Sequence, residues 1–285
     1  MINSDEKFRK LCSENKHLWM GILNITPDSF SDGGAYLKAE SAYTRAMQLI
    51  KHGAKILDIG AVSTRPYAEE ISISEELDRL YPVILSLKDK IPDDVLISLD
   101  SFNPEVTYAL AKENLIDIIN DQFSGRIKRL NSNNNETKNI SNAEIAASFN
   151  LGYVIMHMQG KPDNMQDAPI YTDCTEEVIL FLQERMIYAE RCGVKEIIID
   201  PGIGFGKTVE HNLELLSPKF IKKLSALNKH ILIGLSRKWF IGQLYKELDI
   251  PIKRDYISKE YEFKCIANGV KIIRSHVMPS ELIYK

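Results

Sequence analysis

The sequence predicts an α/β protein, a TIM (β/α)8 barrel, and three observations predict it. Eight apolar segments that read as buried strands alternate with segments of helical spacing. The strand segments are continuous apolar runs bounded by turn signals, which suits a parallel sheet covered on both faces. Eight is also the strand number that closes such a sheet on itself. At 285 residues the chain is long for one compact domain but ordinary for a single barrel. The expected organisation is an N-terminal extension over 1–17 and one barrel domain over 18–285.

The first strand runs into GILNITPDSFSDGG (Gly21 to Gly34), where an apolar run turns polar at Asn24 and Pro27 and Asp32-Gly33-Gly34 leave an irregular loop. Ala39 to His52 has helical spacing. AKILDIG (Ala54 to Gly60) is the second strand, followed by a loop through Ser63-Thr64-Arg65-Pro66. A helix starting at Ser74 is expected to bend or divide at Pro82. VLISLD ends the third strand on Asp100, and Pro104 opens a helix to Glu113. LIDIIND is the fourth strand. The polar, Asn-rich stretch from about Gln122 to Asn142 then reads as an irregular surface insertion.

GYVIMH (Gly152 to His157) is the fifth strand, and Thr175 to Cys192 is an amphipathic helix stopped by Gly193. KEIIID ends on Asp200 before a glycine run, and His211 to Leu227 reads as one helix. ILIGLS is the seventh strand, followed by Arg237-Lys238. A helix over Tyr256 to Asn268 leads to the eighth strand, Val270 to Arg274, and then to His276. The chain stops nine residues later, so a truncated last helix is expected.

Composition narrows the function classes. With 44% hydrophobic and 26% charged residues the chain is ordinary globular material, and a net charge of -3 without a basic stripe gives no footprint for nucleic acid. No apolar run reaches the roughly 18 residues of a membrane span, and the charged N-terminus lacks a signal-peptide core. The four cysteines are scattered without Cys-x-x-Cys spacing, which argues for reduced thiols and a cytoplasmic protein.

Each strand ends on a polar or charged residue: Asn24, Asp58, Asp100, Asn120, His157, Asp200, Arg237-Lys238, and Arg274 with His276. In a barrel these ends converge on the face where activity is found. Acids and amides suit a ligand rich in N–H donors, such as an aminopyrimidinone-type ring. Cations near Asn24 suit an anion such as diphosphate, with a hard, oxygen-loving metal between them. Arg274 and His276 lie on alternate positions and share a face. GIGFGKT is not a phosphate-cradling P-loop, because Pro201 stands where the first glycine is needed. Its glycines read instead as letting a ligand approach the backbone. His157 reads as satisfying backbone groups, and Trp19 and Trp239 as packing.

Eight motifs then appear in one order: GILNITPDSFSDGG, STRP, ISLDS, IIND, IMHMQGKPDNMQ, DPGIGFGK, GLSRKWFIG and IIRSH. Together they resemble the dihydropteroate synthase family of pterin-binding enzymes over about residues 19 to 277. The resemblance implies joining p-aminobenzoate to 6-hydroxymethyl-7,8-dihydropterin diphosphate, with Mg²⁺ as cofactor, these small molecules as partners, and a homodimer. By motif, Asp58, Asp100, Asn120, Met156, Asp200 and Lys238 would hold the pterin. Asn24, Arg274 and His276 would hold the diphosphate, Asn24 also binding the metal. Phe30, Thr64, Arg65, Pro66, Phe205 and Ser236 would surround p-aminobenzoate. Asp32, Lys238, Arg274 and His276 would carry catalysis, Asp32 by stabilising a pterin-methylene cation after diphosphate leaves.

The chain departs from the family pattern at Ala61, Val62 and Tyr67 in the second loop, at Val277 where an Asp usually follows the His, and in the bulky helix before the last strand. Competing readings are a pterin-binding paralogue that does not turn over and a methyltetrahydrofolate-binding methyltransferase domain.

Overall fold

The computed structural model describes residues 3–25, 35–62, 71–130, 138–160 and 169–283. The chain begins α1 (Ser4–Glu14), β1 (Leu18–Asn24), α2 (Ala35–Lys51), β2 (Ala54–Gly60), α3 (Ile73–Lys88), β3 (Leu96–Asp100), α4 (Pro104–Lys112) and β4 (Ile118–Asp121). It continues with β5 (Lys128–Leu130), β6 (Lys138–Ser141), α5 (Asn142–Phe149), β7 (Gly152–Met156), α6 (Cys174–Cys192) and β8 (Ile197–Asp200). Then come α7 (Val209–Leu215), α8 (Pro218–Ser225), β9 (His230–Ile233), α9 (Trp239–Leu244), α10 (Asp255–Ala267), β10 (Ile272–Ser275) and α11 (Pro279–Ile283).

The eight predicted strands are β1 to β4 and β7 to β10, and they close in the order β1-β10-β9-β8-β7-β4-β3-β2. Every pairing within the ring is parallel. Side chains alternate across a strand, so each strand sends one set of residues to the barrel interior and the other to the helices. The outward set packs with the helices into the larger core, through residues such as Leu57, Leu99, Ile119, Ile155, Ile199 and Ile233.

The inward set changes character along the barrel axis. A lower layer is apolar: Met20, Ile56, Leu96, Ile118, Val154, Ile198, Leu232 and Ile272 form one buried cluster. Two residues further along, several strands present polar atoms to the same interior: Asp58, Ser98, Asn120, Asp200 and Arg274. The apolar layer thus closes the barrel below and leaves a polar mouth at the carboxyl ends.

Ahead of β1, α1 stops the bottom of the barrel. Phe8, Leu11 and Cys12 join the lower apolar cluster. Phe8 meets His230 edge-on at 5.8 Å between ring centres. The Lys271 ammonium donates to the Cys12 carbonyl at 2.6 Å and to that of Asn15, capping the negative end of the helix. Ser4 Oγ donates to Asp117 at 2.8 Å, and the Asp5 N–H to the Asn150 carbonyl at 2.9 Å.

Four local expectations need correction. The helix expected from Ser74 begins one residue earlier, at Ile73, because the Ser72 hydroxyl accepts from the Glu75 N–H, and it continues undivided through Pro82 to Lys88. Burial of Leu80, Val83, Ile84 and Leu87 outweighs the hydrogen bond that Pro82 cannot make. The helix expected over His211 to Leu227 is two, α7 and α8, since Ser217 caps a fresh start with Pro218 in its first turn. The insertion after β4 is partly regular: β5 and β6 pair antiparallel, and Ser141 with Glu144 forms a capping box that starts α5. Trp19 packs as expected, edge-on to Phe263 at 5.9 Å, but Trp239 is 53% exposed, because α9 buries Phe240 and Ile241 instead.

The last helix, α11, is short. Arg45 of α2 holds it by an ion pair to Glu281 at 2.7 Å, and His52 Nδ1 meets Ser280 Oγ at 2.8 Å.

The stopper makes α1 part of the fold's stability. Phe8→Ala should destabilise the protein by about 3 kcal/mol, the usual cost of emptying a buried aromatic position. A lower urea midpoint with an unchanged m-value would register it.

Candidate functional site

At the mouth, Arg274 spans two acids. Its Nε donates to Asp58 Oδ2 and its Nη2 to Asp100 Oδ2, both at 2.6 Å. Asp58 is fully buried and accepts from two further donors, Ser98 Oγ at 2.6 Å and Asn120 Nδ2 at 3.1 Å. Asp100 also accepts from Gln122 Nε2 at 2.9 Å. Ion pairing with Asp58 and Asp100 raises the already high guanidinium pKa despite burial, so Arg274 is a permanent cation. Two of its five N–H groups are committed to these acids.

Across the mouth, burial lifts the Asp200 carboxyl to about 6, although the Gly202 N–H donating at 2.7 Å and the nearby Lys238, Arg274 and Lys207 charges pull it back. Burial raises Asp100 to about 6 as well; Arg274 opposes the shift and Asp58 adds to it. Lys238 is pushed down to about 7 by burial and by Arg274, against the pull of Asp200 and Asp100. Its ammonium lies 3.8 Å from the centre of the Phe205 ring, a cation–π contact. Arg237, its neighbour, turns away at φ 62 and grips Asp255 with two bonds of 2.7 and 3.0 Å.

Met156, Ser236, His276 and Asn24 lie at, or within three residues of, other strand ends. Met156, with Met158, Phe123 and Phe205, makes an apolar patch beside the acids. Ser236 Oγ accepts from the His276 N–H at 3.2 Å and lies 3.1 Å from His276 Nδ1, and Arg45 holds the His276 carbonyl at 2.7 Å. Asn24 is the exposed last residue of β1. Phe30, Asp32, Thr64, Arg65, Pro66 and Tyr67 lie outside the described residues.

The glycine run after β8 has a different role from the one expected. Gly202, at φ 70, would place a Cβ 1.8 Å from the His157 carbonyl oxygen, and Gly206, at φ 60, one 2.4 Å from that of Gln159. At these two glycines the close approach is between two loops of the protein. Lys207 locks the same junction: its buried ammonium donates to His157 Nδ1 and to the Phe205 carbonyl, each at 2.9 Å. Burial and the Lys207 charge push His157 down to about 2, so it stays neutral and accepts. His157 is therefore satisfied as expected, by a side chain rather than by backbone.

Sequence reasoning missed Gln122, Ser98 and Lys207. Ser98 was legible in principle, since it lies two residues before Asp100 and so shares its face. Gln122 lies in the turn after β4, where strand alternation gives no signal.

Among the described residues no three His, Cys, Asp or Glu side chains stand together as metal ligands. At the Asn24 corner the described donor is an exposed amide oxygen, which fits a hard cation that arrives with phosphate oxygens and keeps several waters.

The arrangement is an N–H-accepting wall of acids and amides, an apolar patch and two cations at one barrel mouth. A family model described as pterin binding enzyme matches residues 20–276. The folate synthesis bifunctional protein of Arabidopsis thaliana is 36% identical over 97% of this chain, which spans 58% of that protein's length. The dihydropteroate synthase of Escherichia coli K12 is 40% identical over 90% of this chain and 85% of its own. A Xanthomonas albilineans dihydropteroate synthase solved with 4-aminobenzoic acid superposes with a TM-score of 0.78 at 34% identity, covering 94% of this chain and 90% of that one. The chain belongs to the pterin-binding enzyme family.

The raised acids give a pH signature. Asp100 and Asp200 bind protons more tightly in the folded state than the ordinary value of 3.8 allows. The stability they contribute is fully present below pH about 4 and lost as pH rises through about 6. Asp200→Asn should therefore raise the Tm relative to the unaltered protein more at pH 7 than at pH 4, as thermal melts across that range would record.

Proposed function

We propose that this chain acts as a dihydropteroate synthase, joining p-aminobenzoate to 6-hydroxymethyl-7,8-dihydropterin diphosphate with release of diphosphate. The observation that carries the reading is the meeting of Asp58, Asp100, Asn120, Asp200, Lys238 and Arg274 at one mouth, in a chain closely similar to enzymes of that name. Asp100, Asn120 and Asp200 would accept the N–H donors of the pterin edge, with Asp58 behind them. Met156 and Phe205 would lie against the ring, and Lys238 would donate to it. The bound 4-aminobenzoic acid of the Xanthomonas enzyme supports a second pocket for the amine, which we assign to Phe30, Thr64, Arg65, Pro66, Phe205 and Ser236.

The chemistry asks for a stabilised leaving group more than for a strong base. Arg274 keeps three N–H groups beyond those it gives to Asp58 and Asp100, and these would hold diphosphate oxygens with His276, whose ring Ser236 orients. Mg²⁺ bound at Asn24 would neutralise further phosphate charge. Asp32 would stabilise the positive charge left on the pterin methylene, and the aromatic amine of p-aminobenzoate then attacks that carbon. None of the described helices is long and apolar enough to cross a membrane, and we assign the protein to the cytoplasm as a homodimer.

Incubation with the pterin diphosphate, p-aminobenzoate and Mg²⁺ should yield dihydropteroate and diphosphate. Pterin binding without product would mark a non-catalytic paralogue, and methyl transfer from methyltetrahydrofolate to a corrinoid the methyltransferase reading. Asp200→Asn should abolish pterin binding in calorimetry, whereas Arg65→Ala should mainly raise the KM for p-aminobenzoate. Chelation of Mg²⁺ should cut turnover at least about tenfold while leaving binding of the diphosphate-free pterin in place.

A further inference from the structure

We propose that Gln122 is a positioning residue: it holds the Asp100 carboxylate in place and so sets how tightly the mouth takes an N–H-rich bicyclic ring, an inference that rests on the pterin reading above. Gln122 opens the turn that follows β4, and its side chain reaches Asp100 at the mouth. Its Nε2 donates to Asp100 Oδ1 at 2.9 Å while Arg274 donates to Oδ2 at 2.6 Å, so each carboxylate oxygen has its own donor from a different strand end. Arg274 reaches only Oδ2 of Asp100, so the hold on Oδ1 comes from Gln122.

The other end of the amide explains what Gln122 is for. The residue is 7% exposed, and among the described residues its buried Oε1 has no hydrogen-bond partner. A buried unpaired acceptor costs about 1–3 kcal/mol. Turning the amide over would bring Oε1 against Asp100 Oδ1, two acceptors in contact, so the carboxylate dictates the orientation. The unsatisfied carbonyl is the cost of serving Asp100.

The charge balance at Asp100 makes this measurable. The groups facing it are Arg274 from β10, Asp58 from β2, Lys238 after β9 and Gln122 after β4. Burial lifts the carboxyl to about 6, Arg274, Gln122 and Lys238 oppose that rise, and Asp58 reinforces it. Loss of the Gln122 donor removes one of the opposing interactions, so Asp100 would protonate at higher pH.

The test uses the full chain with Gln122→Leu and Gln122→Met, either variant sufficing if the other does not fold. Calorimetry with 6-hydroxymethylpterin from pH 5.5 to 8 and the KM for p-aminobenzoate are the readouts. We expect pterin affinity at pH 7 to fall about five- to tenfold. The acid limb of binding should move up by roughly half a pH unit, and the KM for p-aminobenzoate should stay within about twofold. Affinity within twofold in the folded variants, or affinity lost with the acid limb unmoved, overturns the role of Gln122 and leaves the pterin reading standing. Failure of the unaltered protein to bind the pterin overturns both.

Discussion

Arg274 is the group on which the mouth depends. It is a permanent cation placed between the buried Asp58 and the half-buried Asp100, and it reaches both carboxylates at 2.6 Å. Asp58 alone would be an isolated charge in a dry interior, a state that proteins avoid by protonation or rearrangement. Arg274, Ser98 and Asn120 all donate to it instead. The partners come from β10, β3 and β4, so strands far apart in sequence meet over one acid. Charge pairing at the top and apolar packing below therefore call for the same closed ring.

The division between the two layers explains how a polar site survives in a small barrel. The lower interior is filled by aliphatic side chains and stopped by Phe8 from α1, so water is excluded from beneath. The polar groups above can be buried only because they satisfy one another. Where that satisfaction is incomplete among the described residues, at Gln122 Oε1, the defect lies directly beside Asp100, where a role in binding can account for it.

The barrel was readable because its strands are apolar runs that each end in a change of polarity, a pattern set by burial and therefore written locally. Asp58, Asp100, Asn120, Asp200 and Arg274 were found that way, and all of them stand at the mouth. Partnerships across long separations were not readable. His157 and Lys207 are fifty positions apart, and nothing near either residue announces the other. The glycines at 202 and 206 looked made for a ligand, because a sequence cannot say which backbone a bare Cα will touch. Other misses had a local signal that was outweighed: Ser141 with Glu144 is a capping box inside an Asn-rich stretch, and Ser217-Pro218 is a helix start inside an apparently continuous one. Pro82 shows the reverse, a local breaker overruled by packing.

The stopper helix also decides how the molecule can be handled. Ser4 and Asp5 are bound at the closed base, through Asp117 and the Asn150 carbonyl, on the side of the ring away from the acids. A tether, fluorophore or fused domain joined ahead of them would hang from that base. The protein could then be mounted on a sensor surface with its open end facing the solution.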